Sequence, residues 1–119
     1  MNDFNANVPI YIQVVESMKL QIMSGKLHPG DKISSVRELA LELGVNPNTI
    51  QRAFNELERD GFIRTERAVG RYVADNTKLI EDYKKQEIKK KMDHFLQQMN
   101  MLGMNEEDII AYLQGMKGE

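Results

Sequence analysis

The fold is decided by residues 34–61, which read SSVRELALELGVNPNTIQRAFNELERDG. Apolar residues recur three and four positions apart on both sides of a central glycine, the spacing of two amphipathic helices joined by a tight turn. Ser35 and Glu38 have the spacing of a capping box, so the first helix begins after Ser35 and ends at Gly44. Asn46, followed by proline, is a typical cap for the second helix. The stretch therefore predicts a helix-turn-helix.

Three positions inside this stretch test that prediction. A helix-turn-helix needs a small residue where its two helices touch, a residue that tolerates the turn four positions later, and an apolar residue beneath the second helix. The sequence has Ala40, Gly44 and Ile50 at these positions. The match at all three positions supports a helix-turn-helix more strongly than a single glycine would.

The outward residues at the start of the second helix are polar, and none of them is acidic before Glu56. Amide and guanidinium groups bind base edges, and the positive end of the helix dipole attracts phosphate. An ordinary polar helix surface is the alternative interpretation. The predicted DNA-binding residues of this helix are Asn46, Pro47, Asn48, Thr49, Gln51 and Arg52.

A small β hairpin is predicted after the second helix. Residues 62–65 and 71–73 are β-prone and flank a short, exposed-looking turn. An arginine-bearing hairpin in this place can lie along a DNA groove or backbone as a wing. Arg67 and Arg71 are the predicted DNA-binding residues of the wing.

The remaining sequence is predicted to be helical. One helix spans about residues 9–24, and Lys32-Ile33 is a candidate for a very short strand. A long helix begins at Thr77 and ends at Gly103, and a final short helix follows a cap at Asn105. The predicted dimerisation residues form apolar stripes on these last two helices: Ile80, Tyr83, Ile88, Met92, Phe95, Met99, Ile109 and Leu113. The five methionines after residue 76 suit an adaptable dimer core, with a groove for another partner as the alternative.

Length and charge set the organisation of the chain. The 119 residues allow one compact domain plus a short appendage, which we place at residues 8–76 and 77–119. All six arginines lie between positions 37 and 71, whereas the tail carries only lysines. Because the net charge is −2, binding to nucleic acid by bulk charge is not expected, so any such site is local.

Several classes of site are not expected. The chain has no cysteine, which excludes disulfides, thiolate zinc sites and a cysteine nucleophile. His28 and His94 are far apart and lack a cluster of carboxylates, so neither a metal nor another cofactor is expected. No nucleophile-base set and no glycine-rich phosphate loop is present, so we do not expect an enzyme. No apolar run long enough to span a membrane and no signal peptide is visible, which favours a cytoplasmic location.

Residues 8–75 resemble the winged-helix domain of GntR-type bacterial transcription regulators, and the short helical tail resembles the YtrA-type branch. The resemblance is carried by Pro9-Ile10-Tyr11, Gly25, Leu27, Pro29-Gly30-Asp31, Ser35, Arg37, Leu39-Ala40, Gly44-Val45-Asn46-Pro47-Asn48-Thr49, Leu57, Gly61 and Gly70. It implies that Ser35 and Arg37 belong to the DNA-binding surface, with phosphate contact by Arg37, and that the second helix of the motif enters the major groove. It also implies that the wing glycine, Gly70, belongs to the DNA-binding surface near the minor groove, and it suggests a transporter operon as the target.

The chain departs from the family pattern at two places, and it differs from other branches of the family in the helix that reads DNA. Ser34 replaces the usual proline before the cap, and Ala68 stands where the wing often has a first glycine. Pro47 and Gln51 occupy positions that carry arginines in other branches, so their base preference does not transfer.

The sequence as a whole predicts a mainly α protein with a small β wing, in which a winged helix-turn-helix is followed by a two-helix C-terminal dimerisation segment. The expected function is that of a homodimeric repressor that binds double-stranded DNA at an inverted repeat. Any small-molecule effector is unknown. The alternative is a winged-helix module that binds a protein partner through its tail and does not recognise a DNA sequence.

Overall fold

The computed structural model describes residues 4–117. In this part of the chain, helices and strands follow in the order α1 (Ile10–Met23), α2 (Val36–Leu43), α3 (Pro47–Arg59), β1 (Ile63–Glu66), β2 (Gly70–Val73), α4 (Thr77–Met101) and α5 (Glu106–Lys117). The two strands form one antiparallel sheet. The predicted mainly α fold with a small β wing is confirmed.

The chain divides into two compact units. The first ends at Glu81 and contains α1 to α3, both strands and the beginning of α4, and the second begins at Asp82. The boundary therefore lies inside α4, a few residues beyond the one expected from composition. The division into a DNA-binding part at residues 8–76 and a dimerisation part at residues 77–119 stays a prediction.

The core of the first unit is built around α3, whose apolar residues all point inward. Ile50, Ala53 and Leu57 are fully buried, and Phe54 is 1% exposed. The residues of α1 that complete this core are Val14, Val15, Met18 and Ile22. Each large aliphatic side chain buried in this way contributes about 1.5–3 kcal/mol. This packing fixes α3 against α1 and leaves its polar side in solvent.

Local hydrogen bonds set the ends of α2 as predicted. The Ser35 hydroxyl accepts a hydrogen bond from the backbone N–H of Glu38 at 3.1 Å, and the Glu38 carboxylate accepts one from the backbone N–H of Ser35 at 3.2 Å. At the other end Gly44 is left-handed with φ 68°, and the Val45 N–H donates to the Ala40 carbonyl at 3.0 Å. The capping box and the glycine C-cap are both confirmed, and they define the turn before α3.

The wing is a short hairpin of β1 and β2, and residues 31–33 run alongside β2 as a third segment. Ile63 pairs with Val73 at one end and Glu66 with Gly70 at the other. Residue Lys32 forms a single antiparallel bridge with Tyr72, so the very short strand predicted at Lys32-Ile33 is present as one bridge. β2 is thus hydrogen-bonded on both sides, which fixes the wing to the rest of the first unit.

The beginning of α4 is attached to the turn after α3. The Asn76 side-chain amide donates to the Gly61 carbonyl at 3.1 Å, and Ile80 is buried. Gly61 has φ +84°, and a Cβ there would lie 3.3 Å from Leu79 Cδ1. A side chain at position 61 would therefore be strained and crowded, which accounts for glycine at this turn.

A partly buried ion pair joins α1 to the end of α3. Lys19 Nζ lies 2.9 Å from Asp60 Oδ2 and 5.0 Å from the centre of the Phe62 ring. Lys19 is only 8% exposed, so its charge is neutralised where solvent is scarce. This pair helps to fix the orientation of α1 on α3.

The second unit contains most of α4 and all of α5. Asn105 and Asp108 form a reciprocal cap at the start of α5, with hydrogen bonds of 2.9 and 3.1 Å, as the sequence predicted. None of the helices within residues 4–117 is both long and apolar enough to cross a membrane.

Candidate nucleic-acid interface

The start of α3 is capped by Asn46 and carries no acidic side chain. The Asn46 side-chain oxygen accepts a hydrogen bond from the Asn48 N–H at 2.8 Å, and Pro47 is the first helical residue. The first turn contains no acidic side chain. The backbone N–H groups of Asn48 and Thr49 already donate to Asn46, but no carboxylate neutralises the positive end of the helix dipole, which can therefore attract a phosphate.

The predicted residues of α3 lie together at this end of the helix. Asn46, Pro47, Asn48 and Arg52 are exposed, and Thr49 and Gln51 are half-buried. The Gln51 amide donates to Asn55 Oδ1 at 2.8 Å. A side-chain amide held in this way still has an acceptor and a further donor for a base edge.

Arg52 is held by a residue that the sequence reasoning did not include in the site. Its guanidinium carbon lies 3.8 Å from the centre of the Tyr11 ring, and its Nη2 donates to the Tyr11 hydroxyl at 3.2 Å. Tyr11 is in the first turn of α1, and the sequence gives it no role in the site beyond its part in the family resemblance. Nothing in the sequence shows which residue of α3 it meets, because the two positions are 41 residues apart.

Ser35 and Arg37 lie at the start of α2. Arg37 is exposed, and within residues 4–117 it has neither an ion-pair partner nor an aromatic ring beneath it. Hydrogen bonding to the side chain and then to the backbone of Ser35 lowers the pKa of Glu38 from its ordinary value of 4.5. Arg37 thus offers an unpaired charge, whereas Ser35 is engaged in capping.

The predicted DNA-binding residues of the wing differ in how open they are to a ligand. Arg67 lies exposed at the tip and, in the described part of the chain, has no partner. The Arg71 guanidinium is half-buried and lies 5.2 Å from the centre of the Phe54 ring, so it joins β2 to α3. Gly70 is close to Lys32, whose Cε would be 3.0 Å from an added Cβ. Of the three predicted wing residues, Arg67 is therefore the most open to a ligand.

Lys32 is a second residue that the sequence reasoning missed. It is exposed beside Gly70, and it borders the wing because residues 31–33 pair with β2. The sequence placed it in a candidate short strand but gave no sign of a role in binding, since a single lysine before the helix-turn-helix looks like any surface charge. In the structure it adds a cation beside Gly70 of the wing.

The predicted dimerisation residues fall into three groups by burial. Ile80 and Ile109 are already buried within the single chain. Tyr83, Phe95 and Met99 are half-buried. Ile88, Met92 and Leu113 are each more than half exposed. Met101 and Met116, two of the five methionines predicted to suit a dimer core, are also exposed. Further exposed apolar residues of the tail, which the prediction did not include, are Leu79, Leu102, Ile110 and Tyr112.

Comparison with known proteins decides the family. Residues 10–73 match the family described as "Bacterial regulatory proteins, gntR family". The chain belongs to the gntR family. It is therefore a winged-helix DNA-binding transcription regulator, as the sequence resemblance predicted, and its family and relatives are regulators rather than enzymes.

Two relatives from Bacillus subtilis (strain 168) extend the comparison. The chain is 36% identical over 109 residues to the uncharacterised HTH-type transcriptional regulator YhcF, covering 92% of this chain and 90% of YhcF. It is 46% identical over 76 residues to the HTH-type transcriptional repressor YtrA, covering 64% of this chain and 58% of YtrA. These similarities are consistent with the YtrA-type branch.

Solved structures agree with this assignment. A GntR family transcriptional regulator from Listeria monocytogenes superposes with a TM-score of 0.84 at 41% identity, covering 94% of this chain and 98% of that chain. The DNA-binding domain of AraR in complex with operator ORX1 superposes with a TM-score of 0.54 at 34% identity, covering 56% of this chain and 81% of that chain. The same fold is thus known bound to an operator.

Proposed function

We propose that this gntR family member is a homodimeric repressor that binds an inverted-repeat operator through two copies of α3. Residues 77–119 would form the dimer contact, and a two-fold protein would require half-sites spaced by about one helical turn or a multiple of it. The name of YtrA as a repressor supports repression.

The observation that carries the DNA-binding part of the proposal is the polar start of α3. Its first turn carries no acid, its exposed side includes Asn48 and Arg52, and its apolar side is completely buried. Arg37 and Arg67 add exposed cations that suit phosphate contact. Base contacts by α3 and phosphate contacts by the flanking arginines together account for selective binding.

Exposed apolar side chains support dimerisation through the tail. Ile88 and Met92 on α4 are 52% and 56% exposed, and Leu113 on α5 is 53% exposed. Such a concentration of apolar surface in a short segment typically marks an interaction site. A second copy supplies the same apolar surface, and the flexible methionine side chain adapts readily to such a contact.

The biological setting is also proposed. The resemblance to the YtrA-type branch suggests a transporter operon as the regulated target, and a bacterial transcription regulator would act in the cytoplasm. No effector is proposed, because the structure gives no reason to choose one.

The proposal is tested by selecting a duplex from a randomised library with the full chain. We expect enrichment of an inverted repeat that binds at least about 1,000-fold more tightly than random DNA. Gln51→Ala should weaken the selected duplex by about 1–3 kcal/mol and relax preference at one position per half-site. Arg37→Ala should weaken selected and random DNA alike and reduce the salt slope by about one unit per lost contact.

The matched control for lost charge is Lys85→Ala, which removes an exposed cation from α4 outside the proposed interface. We expect its affinity for the selected duplex to stay unchanged. Failure to enrich any sequence, together with a tail that binds another protein, would replace the proposal with the protein-interaction module. Equal losses on both DNAs for Gln51→Ala would remove direct base readout by α3.

A further inference from the structure

We propose that Tyr11 is a positioning residue that sets the base preference of the protein by holding the Arg52 side chain. The inference rests on the proposed function, because it concerns how α3 reads a site. Its basis is a contact between α1 and α3: the Arg52 guanidinium stacks on the Tyr11 ring at 3.8 Å and donates to its hydroxyl at 3.2 Å.

Without this contact Arg52 would be a free surface arginine. It is exposed and has no acidic partner within residues 4–117. A free arginine distributes over many rotamers and loses that freedom when it binds a base, which lowers affinity. Tyr11 limits those rotamers before DNA arrives, so less freedom is lost on binding.

The contact leaves most of the guanidinium available. One Nη2 hydrogen is donated to Tyr11, and one side of the planar group is covered by the ring. A guanidinium carries five N–H donors, so several remain for a base edge such as that of guanine. Ile10, Asn48 and Thr49 line the same open depression on the surface, which places polar groups of α3 beside the stacked arginine.

A second stack of the same type in the wing has a different environment. Arg64 lies 4.8 Å from the centre of the Tyr72 ring, but it also forms an ion pair with Glu66. Its charge is therefore neutralised within the hairpin, whereas the charge of Arg52 is held but not neutralised. Of these two stacked arginines, Arg52 is therefore the one whose positive charge remains available to DNA.

The inference is tested with the full chain and the duplex selected by the wild-type protein. Affinity is measured for that duplex, for its single-base-pair variants and for random DNA, using Tyr11→Phe, Tyr11→Leu, Arg52→Ala and the Tyr11→Leu/Arg52→Ala double variant. Tyr11→Leu should lose about three- to tenfold on the selected duplex and almost nothing on random DNA. Tyr11→Phe keeps the stack and should stay within about twofold of wild type.

The position of the effect distinguishes positioning from other roles. Tyr11→Leu should weaken discrimination at the same base pair as Arg52→Ala, and it should add no further loss in the double variant. A loss that persists in the Arg52→Ala background would overturn the inference, since Tyr11 would then act on its own. Equal losses on selected and random DNA would overturn it too, since they would indicate a backbone contact or a folding defect.

Tyr72→Leu is the matched control, because it removes the other arginine-tyrosine stack. We expect it to leave discrimination at the Arg52 base pair unchanged, and a change there would contradict the inference. Thermal unfolding of each variant checks the fold, and Tyr11→Phe supplies an informative result even where Tyr11→Leu is less stable. If wild type selects no duplex, the proposed function fails; if it does and Tyr11→Leu binds normally, only this inference fails.

Discussion

Helix α3 and the two tail helices differ in how far the chain itself buries their apolar side chains. Within the single chain α3 buries Ile50 and Leu57 completely, and its exposed side is polar. In the described parts of α4 and α5, only Ile80 and Ile109 are buried, while residues such as Met92 and Leu113 remain more than half exposed.

The difference shows which part of the chain buries its apolar surface without a second copy. The first unit buries the apolar residues of its core and presents its polar residues outward, so we expect it to fold without a partner. The tail has helical caps of its own but leaves much of its apolar surface in solvent. A segment of this kind gains stability when another surface covers it, which is why we assign dimerisation to it.

The largest expected effect compares two leucines. Leu57→Ala should lower the free energy of unfolding by about 2–5 kcal/mol, because it leaves a cavity in a close-packed core. Leu113→Ala makes the same change on an exposed helix surface and should lower it by no more than about 0.5 kcal/mol in the monomer. Denaturant unfolding at low protein concentration measures both, and equal losses would break the comparison.

The next effect concerns the dimer. Met92→Glu places a charge on the exposed apolar surface of α4, and we expect it to convert a dimer into a monomer. Operator affinity should then fall about ten- to a hundredfold, because each protomer would bind its half-site alone. Light scattering gives the mass, and Gln97→Glu adds the same charge at another exposed position of α4 as a control. A dimer that survives Met92→Glu would place the interface elsewhere.

A smaller effect is expected for alanine-to-glycine substitutions, which we compare at the wing tip and in α5. Ala68 at the wing tip has φ 61°, a left-handed conformation that is unfavourable for a side chain. Ala68→Gly should therefore raise the free energy of unfolding by about 0.5–1 kcal/mol. Ala111→Gly in α5 should instead lower helix stability by about 0.5–1 kcal/mol. Thermal unfolding distinguishes them, and the same sign for both would remove the claim of strain at the wing tip.

The smallest effect is a pH dependence at the start of α2. The Ser35 hydrogen bonds lower the pKa of Glu38 below 4.5, so the folded state favours the charged carboxylate. This contribution to stability is present above pH 4.5 and disappears as the pH falls through the lowered pKa. Glu38→Gln keeps a capping side chain that does not titrate, so its stability should vary less with pH in this range. Identical pH profiles for the two proteins would contradict the assignment.

Much of the fold follows from local sequence signals. The capping box at Ser35, the left-handed Gly44 and the cap at Asn105 act on neighbouring backbone groups, so their effect is visible in a short stretch of sequence. The order of helices and the wing follow from apolar spacing for the same reason.

The rest depends on contacts between distant residues. The Tyr11–Arg52 stack joins positions 41 residues apart, and no periodic pattern encodes it. Arg71 looked like a free wing arginine, but its guanidinium lies over Phe54 of α3. Ile80 and Ile109 belonged to the predicted dimer stripe, yet each is buried within its own chain. Apolar spacing locates a helix surface but does not say whether the same chain covers it.

The central claim is that two polar α3 helices read DNA while the tails hold two protomers together. Native mass spectrometry of the full chain with the selected inverted-repeat duplex tests it most directly. We predict a complex of two protomers on one duplex, and markedly weaker binding when one half-site is scrambled. A single bound protomer, or equal affinity for intact and half-scrambled duplexes, would contradict the account.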